Sequence, residues 1–400
     1  MTRSASGRSA IDPFHVMEVL RAARERDRVT GDVTHLEVGQ PSAGAPAAAV
    51  EAAREALGHP DRLGYTDALG LPELRERIAR HHLETSGITV DAGRIAVTTG
   101  ASAGLLLTVL AAFDTGDRVG VIRPGYPCHR QILTALGCEP VLIAVDETTG
   151  FQPTPASLDE AHRSAGTQRG DRGLAGLILT SPSNPTGTVL DTDRLDEIAR
   201  WCGRHDVRLV VDETYHGLTF GPPAPTVLHH DAIAPVAVHS FSKYFSMTGW
   251  RVGWTVLPKE LVTPVERLTQ NLMIAAPTLS QIAAVAAFDG RDELEAHLAR
   301  YRSNRDRLRD GLAGLGLRRA APADGAFYLY TDVSEITDDS DALARTWLDQ
   351  LGVAVTPGID FDPIDGHRWV RWSFAGSPGE IDTALARLAG WFDSLTPPGR

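Results

Sequence analysis

Short apolar runs alternating with amphipathic stretches constrain this chain more than any other feature. The runs fall at 94–98, 118–122, 140–145, 174–180, 207–212, 235–240 and 252–257. Several are β-branched and lack polar alternation, the pattern of strands buried on both faces. Between them lie helical patterns such as 103–113 and 193–204, the latter behind an Asp191/Thr192 cap. Strand and helix in regular alternation predict an open α/β sheet. After about Thr278 the rhythm changes. Helical sequence over 281–315 leads to strand segments at 326–331, 353–356 and 369–374 and a last helix over 378–395. The expected organisation is therefore a large domain over 45–280, with a mostly parallel central sheet flanked by helices, and a smaller α+β domain over 281–400. The N-terminal segment 1–44, with a helix over 13–26, is expected to pack with the smaller domain. The stretch 163–173, rich in Arg, Gly, Ser and Asp, reads as surface connection.

Composition removes several classes of function. A chain of 400 residues, 42% of them hydrophobic, can bury a large core. Its net charge of −12 leaves no basic footprint for nucleic acid. Residues 1–10 lack the apolar core of a signal peptide, and the longest apolar stretch, 105–113, is too short to span a bilayer. A cytoplasmic protein without nucleic-acid or membrane partners is expected. Cys128, Cys138 and Cys202 form no C-x-x-C pair and leave an odd one over, so no disulfide framework or zinc site is suggested. The pairs His81-His82 and His229-His230 lack a ligand pattern with nearby acids and read as surface histidines, so no metal site is expected.

Open α/β sheets bind ligands beyond the carboxyl ends of their strands. Polar residues gather there in this sequence. After the run at 94–98 comes Thr99-Gly100-Ala101-Ser102 and then a helix, whose free N–H groups suit an anion; a purely steric glycine turn is the commoner origin of such a sequence. The run at 207–212 ends in Asp212-Glu213-Thr214-Tyr215, where Asp212 is either a cap or a fixed negative charge aimed at a cation. Thr180-Ser181-Pro182-Ser183-Asn184-Pro185-Thr186-Gly187 is a Pro/Gly turn that also presents the Asn184 amide, with Asn184-Pro185 a candidate cis bond. The richest segment is Ser240-Phe241-Ser242-Lys243-Tyr244-Phe245, followed by Thr248-Gly249-Trp250-Arg251. A lysine among Phe241, Tyr244 and Phe245 is suited to desolvation, which favours the neutral amine and imine formation with an aldehyde. Ser240, Ser242 and Arg251 can hold an anion beside it. Aldehyde and phosphate together mean pyridoxal phosphate, although a lysine in a serine-rich turn is by itself more often a solvated surface residue.

Taken in order, these motifs resemble those of the class I/II aminotransferases, pyridoxal-phosphate enzymes of fold type I, in the branch holding aspartate, alanine and aromatic aminotransferases. The resemblance runs from Gly39 to the strand containing Arg371. It implies that Lys243 forms the imine and shuttles the proton, and that Asp212 pairs with the pyridine nitrogen. It gives Asn184 and Tyr215 to the ring hydroxyl, Tyr126 in Pro124-Gly125-Tyr126-Pro127 to the ring face, and Gly100, Ala101, Ser102, Ser240 and Arg251 to the phosphate. Tyr65 resembles the tyrosine that reaches the phosphate of the neighbouring subunit, which implies a homodimer; an exposed loop tyrosine is the plainer alternative.

Arg371 lies in Trp369-Val370-Arg371-Trp372-Ser373, where strand alternation sets it among bulky neighbours. A desolvated guanidinium needs an anion, most commonly a structural Asp or Glu. The resemblance identifies it instead as the grip on the substrate α-carboxylate, with the Gly39 backbone beside it. Ping-pong transfer between an L-amino acid and a 2-oxo acid follows. The turn at 100–102 lacks the lysine that some aspartate-specific relatives carry. Phe14, Met17 and Tyr126 suggest a partly apolar pocket, favouring a neutral or aromatic donor. β-Elimination, oxidation or cyclisation on the same scaffold stays open. A non-catalytic regulatory module should carry a DNA-binding segment, for which the residues before Pro13 leave no room, and a nicotinamide-dependent dehydrogenase needs a G-x-G-x-x-G run that is missing.

Overall fold

Each buried strand sends alternate side chains to opposite faces, and both faces of the central sheet meet apolar partners, which explains the absence of polar alternation. The computed structural model describes residues 5–166 and 173–395. Thr34–His35 (β1) precedes a seven-stranded sheet made of Ile95–Thr98 (β2), Arg118–Arg123 (β3), Glu139–Ala144 (β4), Gly176–Thr180 (β5), Arg208–Asp212 (β6), Val236–Ser240 (β7) and Gly253–Val256 (β8). Their order is β2-β8-β7-β6-β5-β3-β4, and only β8 runs against its neighbours. Leu177, Leu179, Leu209, Val211 and Ala237 enter one core cluster. Ile178, Val210, Val236 and Val238, which alternate with them, enter a second on the opposite face. The fold is therefore the α/β architecture expected, with a mostly parallel central sheet flanked by helices.

The register fixes what stands at the sheet's carboxyl edge. Thr180 pairs with Asp212, and Asp212 with Val238. The helix after β2 spans Gly100–Ala112, three residues earlier than its periodicity predicts, so Ala101 and Ser102 lie in its first turn. Its backbone can begin there because Gly100 adopts φ +77, a left-handed conformation that costs glycine nothing.

Beyond the central sheet, Thr278–Ala287 and Arg291–Gly314 are separate helices, interrupted near Gly290, and cover the helical sequence expected over 281–315. Tyr328–Asp332 (β9), Thr356–Pro357 (β11) and Trp369–Ser373 (β12) form an antiparallel sheet in the order β11-β12-β9, while Val353–Ala354 (β10) pairs in parallel with β1. The predicted single strand at 353–356 is thus two, shared between sheets. The last helix spans Pro378–Leu395 as expected. The first helix is His15–Thr30; its start has no local side-chain cap, and the carboxylate of Asp360 accepts from the N–H groups of His15 and Val16, both at 3.1 Å. Part of the expected surface connection, 167–172, lies outside the described residues. Among those described, no helix is long and apolar enough to cross a membrane.

One expectation about the surface is overturned. His82 is buried, and its Nε2 accepts from the indole N–H of Trp254 at 3.2 Å; burial pulls its pKa down to about 3. His81 is half-buried beside Phe288, at a ring separation of 5.0 Å. The pair sits on the inner face of Pro72–Ser86, where an aromatic cluster covers it. His229 is exposed, while His230 is half-buried and faces Asp196 at 3.1 Å. Of the three free cysteines, Cys138 and Cys202 are buried and Cys128 is half-buried.

Candidate active site

The carboxyl ends of β2, β5, β6 and β7 open onto one cavity of about 260 Å³. Lys243 reaches it from the loop after β7. That loop is held from below: Phe241, Phe245 and Met247 are buried in the main core, and Phe241 and Phe245 pack against Phe288. Here the sequence reading needs correction, because Phe241 and Phe245 do not hem in the lysine. They anchor its loop, Tyr244 turns outward to donate to Glu295 at 2.8 Å, and the rings facing Nζ are Tyr215 and Phe327, 5.8 and 5.9 Å away. The expected consequence holds by this different route. Desolvation, then the charges of Arg371 and Arg251, pull the Lys243 ammonium down to about 8, with Asp212 opposing. Nζ donates to the Gly39 carbonyl at 2.6 Å.

Asp212 ends β6 and is buried. Oδ1 accepts from the Thr214 N–H at 3.1 Å, and Oδ2 lies 3.2 Å from Nε2 of His129. His129 escaped the sequence reading. It sits in the first turn of Pro127–Leu136, edge-on to Tyr126 at 5.4 Å, so the signal available was its i, i+3 spacing from that tyrosine. Tyr215 and Tyr328 share a hydrogen bond of 2.7 Å between their hydroxyls. Tyr328 was also missed, because cross-strand and cross-domain register is not written in local periodicity. Its hydroxyl explains Gly39: a Cβ there would lie 1.8 Å from Tyr328 Oη.

At the other end of the cavity, Ala101 and Ser102 line the wall with Ser240, Ser242, Thr248 and Arg251. Arg251 has φ 51, and its Nη1 donates to the Thr248 carbonyl at 2.9 Å. A Cβ on Gly100 would meet Arg251 Nη2 at 2.5 Å, so glycine serves here both for conformation and for close approach. Helix N–H groups, hydroxyls and a guanidinium together make an anion cup.

Arg371, from β12, is 2% exposed. Nη1 donates to Oδ1 of Asn184 at 2.9 Å; Nη2 donates to the Glu37 carbonyl and to Thr356 Oγ1. Nε has no partner, and among the described residues no carboxylate lies within ion-pair distance. The structural Asp or Glu that a buried arginine commonly takes is therefore not there. Asn184, preceding a cis proline bond as expected, uses its oxygen on Arg371 and keeps its NH₂ as a donor.

Phe14, Val16, Met17, Val38, Leu105 and Tyr126 supply the apolar wall, with Phe14 edge-on to Tyr126 at 6.0 Å. Tyr65 is the predicted site residue that stands apart: it does not line the cavity and is 85% exposed. Every other predicted residue lines the cavity or, for Gly100, abuts Arg251.

The sequence profile described as aminotransferase class I and II matches residues 31–388. Valine–pyruvate aminotransferase of Mycobacterium tuberculosis is 48% identical over 98% of this chain and 100% of that protein. Aspartate/prephenate aminotransferase of Thermus thermophilus is 33% identical over 95% of this chain and 96% of its own. Among solved structures, an aminotransferase from M. tuberculosis superposes with TM-score 0.93 at 48% identity, covering 98% and 100% of the two chains. T. thermophilus aspartate aminotransferase with maleate gives 0.89 at 32% identity, covering 97% and 100%. Enzymes of this kind are generally dependent on pyridoxal phosphate. A lysine, a carboxylate and an anion cup converging on one cavity agree with those matches, and the chain belongs to the class I and II aminotransferases, enzymes that move an amino group between an amino acid and a 2-oxo acid.

Proposed function

We propose that this aminotransferase uses pyridoxal 5′-phosphate, takes a neutral amino acid with an apolar side chain as donor, and passes the amino group to a small 2-oxo acid. The observation that carries the donor class is the charge of the cavity wall. Its cationic side chains are Lys243, Arg251 and Arg371. Each has a task already: the amine, the phosphate and the α-carboxylate. A side-chain carboxylate would then face Phe14, Met17, Leu105 and Tyr126 without a counter-charge, which is costly in an apolar wall. The name of the M. tuberculosis relative, a valine–pyruvate aminotransferase, supports the same class.

The cofactor fits the donor set. Pyridoxal phosphate, when bound, supplies an aldehyde carbon that exchanges amino groups and a pyridinium ring that withdraws electrons from the substrate α-carbon. Asp212, fixed by Thr214 and His129, would pair with the pyridine nitrogen. Asn184 and Tyr215 serve the ring hydroxyl, Tyr126 covers a ring face, and Gly100, Ala101, Ser102, Ser240 and Arg251 hold the phosphate. Arg371 presents its unpartnered Nε and its Nη groups to the substrate carboxylate, with the Gly39 backbone alongside. Lys243 would hold the resting cofactor and, as a free amine, would carry the proton of the substrate α-carbon. An amine pulled down to about 8 gives up its proton more readily near neutrality than an ordinary lysine.

The protein acts as a homodimer in which Tyr65 reaches the neighbouring phosphate; its position outside its own cavity and its exposure support that role. Residues 45–280 form the cofactor-holding domain and supply Leu105 and Tyr126 of the apolar wall, and 281–400 with 1–44 the smaller one that carries Arg371 and the Phe14, Val16, Met17 and Val38 part of that wall.

Absorption spectroscopy tests this reading. Holoenzyme titrated with single amino acids and no oxo acid should lose its yellow colour stoichiometrically with valine-like donors, releasing the matching oxo acid. Preference for aspartate would overturn the donor class. Ammonia release with recovery of colour would overturn simple transamination.

A further inference from the structure

Behind the cofactor cavity lies a second opening, of about 420 Å³, which shares Thr214 and Ser240 with it. Its floor carries three side chains that transamination does not use. Glu213 follows Asp212, His216 lies in the turn after it, and His239 precedes Ser240 on β7. Glu213 and His239 are buried and His216 is half-buried. One ligand atom from each falls within 4.8 Å of the others.

The distances within the cluster are informative. Glu213 Oε2 is 3.4 Å from His216 Nδ1 and 3.3 Å from His239 Nε2. Yet neither Glu213 Oε2 nor His239 Nε2 has a hydrogen-bond partner. Two ligands of a tetrahedral zinc ion, each about 2.1 Å from the metal, stand about 3.4 Å apart, the edge of the tetrahedron. The two pairs involving Glu213 have that separation, and the three ligand atoms all lie within 4.8 Å of one another. The second oxygen of Glu213 accepts from the Val227 N–H at 2.7 Å, and His239 is stacked on Trp254 at 4.7 Å with planes 9° apart. Both arrangements hold ligand atoms in place before any ion arrives, as outer-shell contacts do in metal sites.

We propose that Glu213, His216 and His239 bind a divalent metal ion of the zinc class. Imidazole and carboxylate donors suit such an ion, and the adjoining opening provides an entry path and a fourth position for water. The ion would tie the end of β6 to the end of β7, the two strands that carry Asp212 and the loop of Lys243. The site is separate from the reaction, so its presence or absence does not depend on the substrate assignment. Local spacing did not reveal it, because two ligands come from one turn and the third from the next strand.

The test uses holoenzyme stripped with dipicolinate, dialysed, and titrated with zinc chloride in a calorimeter, beside His216→Gln and Glu213→Gln treated identically. One equivalent per chain is expected in the wild type, with at least about tenfold weaker binding in each variant, since even the loss of an outer-shell contact costs about 10- to 100-fold. X-ray absorption of the zinc-loaded wild type should give nitrogen and oxygen neighbours at about 2.0–2.2 Å. Absence of stoichiometric binding, equal binding in His216→Gln, or an absorption spectrum of fully hydrated zinc would each overturn the proposal. His216 is half-buried, so its glutamine variant tests the ligand with least disturbance of the core, and the absorption measurement stands even if Glu213→Gln fails to fold.

Discussion

Nη1 of Arg371 donates to Oδ1 of Asn184 at 2.9 Å, so a strand from the C-terminal part of the chain is joined to a turn of the central sheet by a bond to a neutral amide. The guanidinium is positioned without being neutralised. Its charge stays available to a substrate carboxylate. Replacement Arg371→Gln should lower kcat/KM for the amino acid about 10- to 100-fold, the scale of one or two charge-assisted hydrogen bonds. Steady-state kinetics checks this. An amine lacking the carboxylate should be processed equally badly by both proteins, whereas an equal fractional loss on that amine would assign Arg371 a purely structural part.

Lys243 makes the apoprotein's stability depend on pH in a stated direction. Its folded-state pKa is about 8 against 10.5 for the unperturbed group. Between those values the unfolded chain binds more protons, so stability rises with pH across that window, and the cost of burying the ammonium is fully present below about 8. Apo wild type should therefore gain in Tm relative to apo Lys243→Met as pH goes from neutral toward 10. Parallel melting curves would contradict the depressed amine. Transamination by Lys243→Ala should fall by about 100-fold or more.

Two glycines set close approaches that alanine cannot repeat. A Cβ at Gly100 would stand 2.5 Å from Arg251 Nη2 at φ +77, and Gly100→Ala should weaken cofactor retention by pushing the guanidinium out of the cup. A Cβ at Gly39 would stand 1.8 Å from Tyr328 Oη, and Gly39→Ala should cost about 1–3 kcal/mol in overpacking. Tyr328→Phe removes the nearest atom and should recover part of that cost. A double-mutant cycle by denaturant unfolding measures the coupling.

Tyr65 offers a test of subunit exchange. Tyr65→Phe is expected to bind pyridoxal phosphate less tightly, and Lys243→Ala to be inactive. If Tyr65 crosses the proposed dimer, the intact tyrosine of the second variant serves the intact lysine of the first in a mixed dimer. Mixing and refolding the two should raise activity at limiting cofactor above that of either alone. No gain would place Tyr65 outside the site of either subunit.

Much of this site was legible because the groups lie where a strand stops: Asp212, Ser240, Ala101 and Ser102 follow apolar runs whose ends are visible in the residues. Lys243 was found, but its surroundings were misassigned. Side chains next to it in sequence, Phe241 and Phe245, point into the core, while distant Tyr215 and Phe327 desolvate it. Local neighbours in a tight loop diverge, and spacing alone does not say which of them turn inward. His129 and Tyr328 were missed for a related reason, since each acquires its meaning from a partner on another element. His82 was expected outside because its pair shows no ligand pattern with nearby acids, which says nothing of burial. On a helix, adjacent residues point about 100° apart, and one of them can face an aromatic core.

Asp360 ties the start of the first helix from 345 residues away. Synthesis runs from the N-terminus, so the segment holding Phe14, Val16 and Met17 leaves the ribosome long before the carboxylate that fixes it. The part of the apolar wall carried by this helix is thus among the earliest parts made, while the carboxylate that caps the helix is among the later ones. A nascent chain stopped short of Asp360 could still set Phe14 against Tyr126 and the Gln131 amide on Asp12, yet the N–H groups of His15 and Val16 would lack that carboxylate.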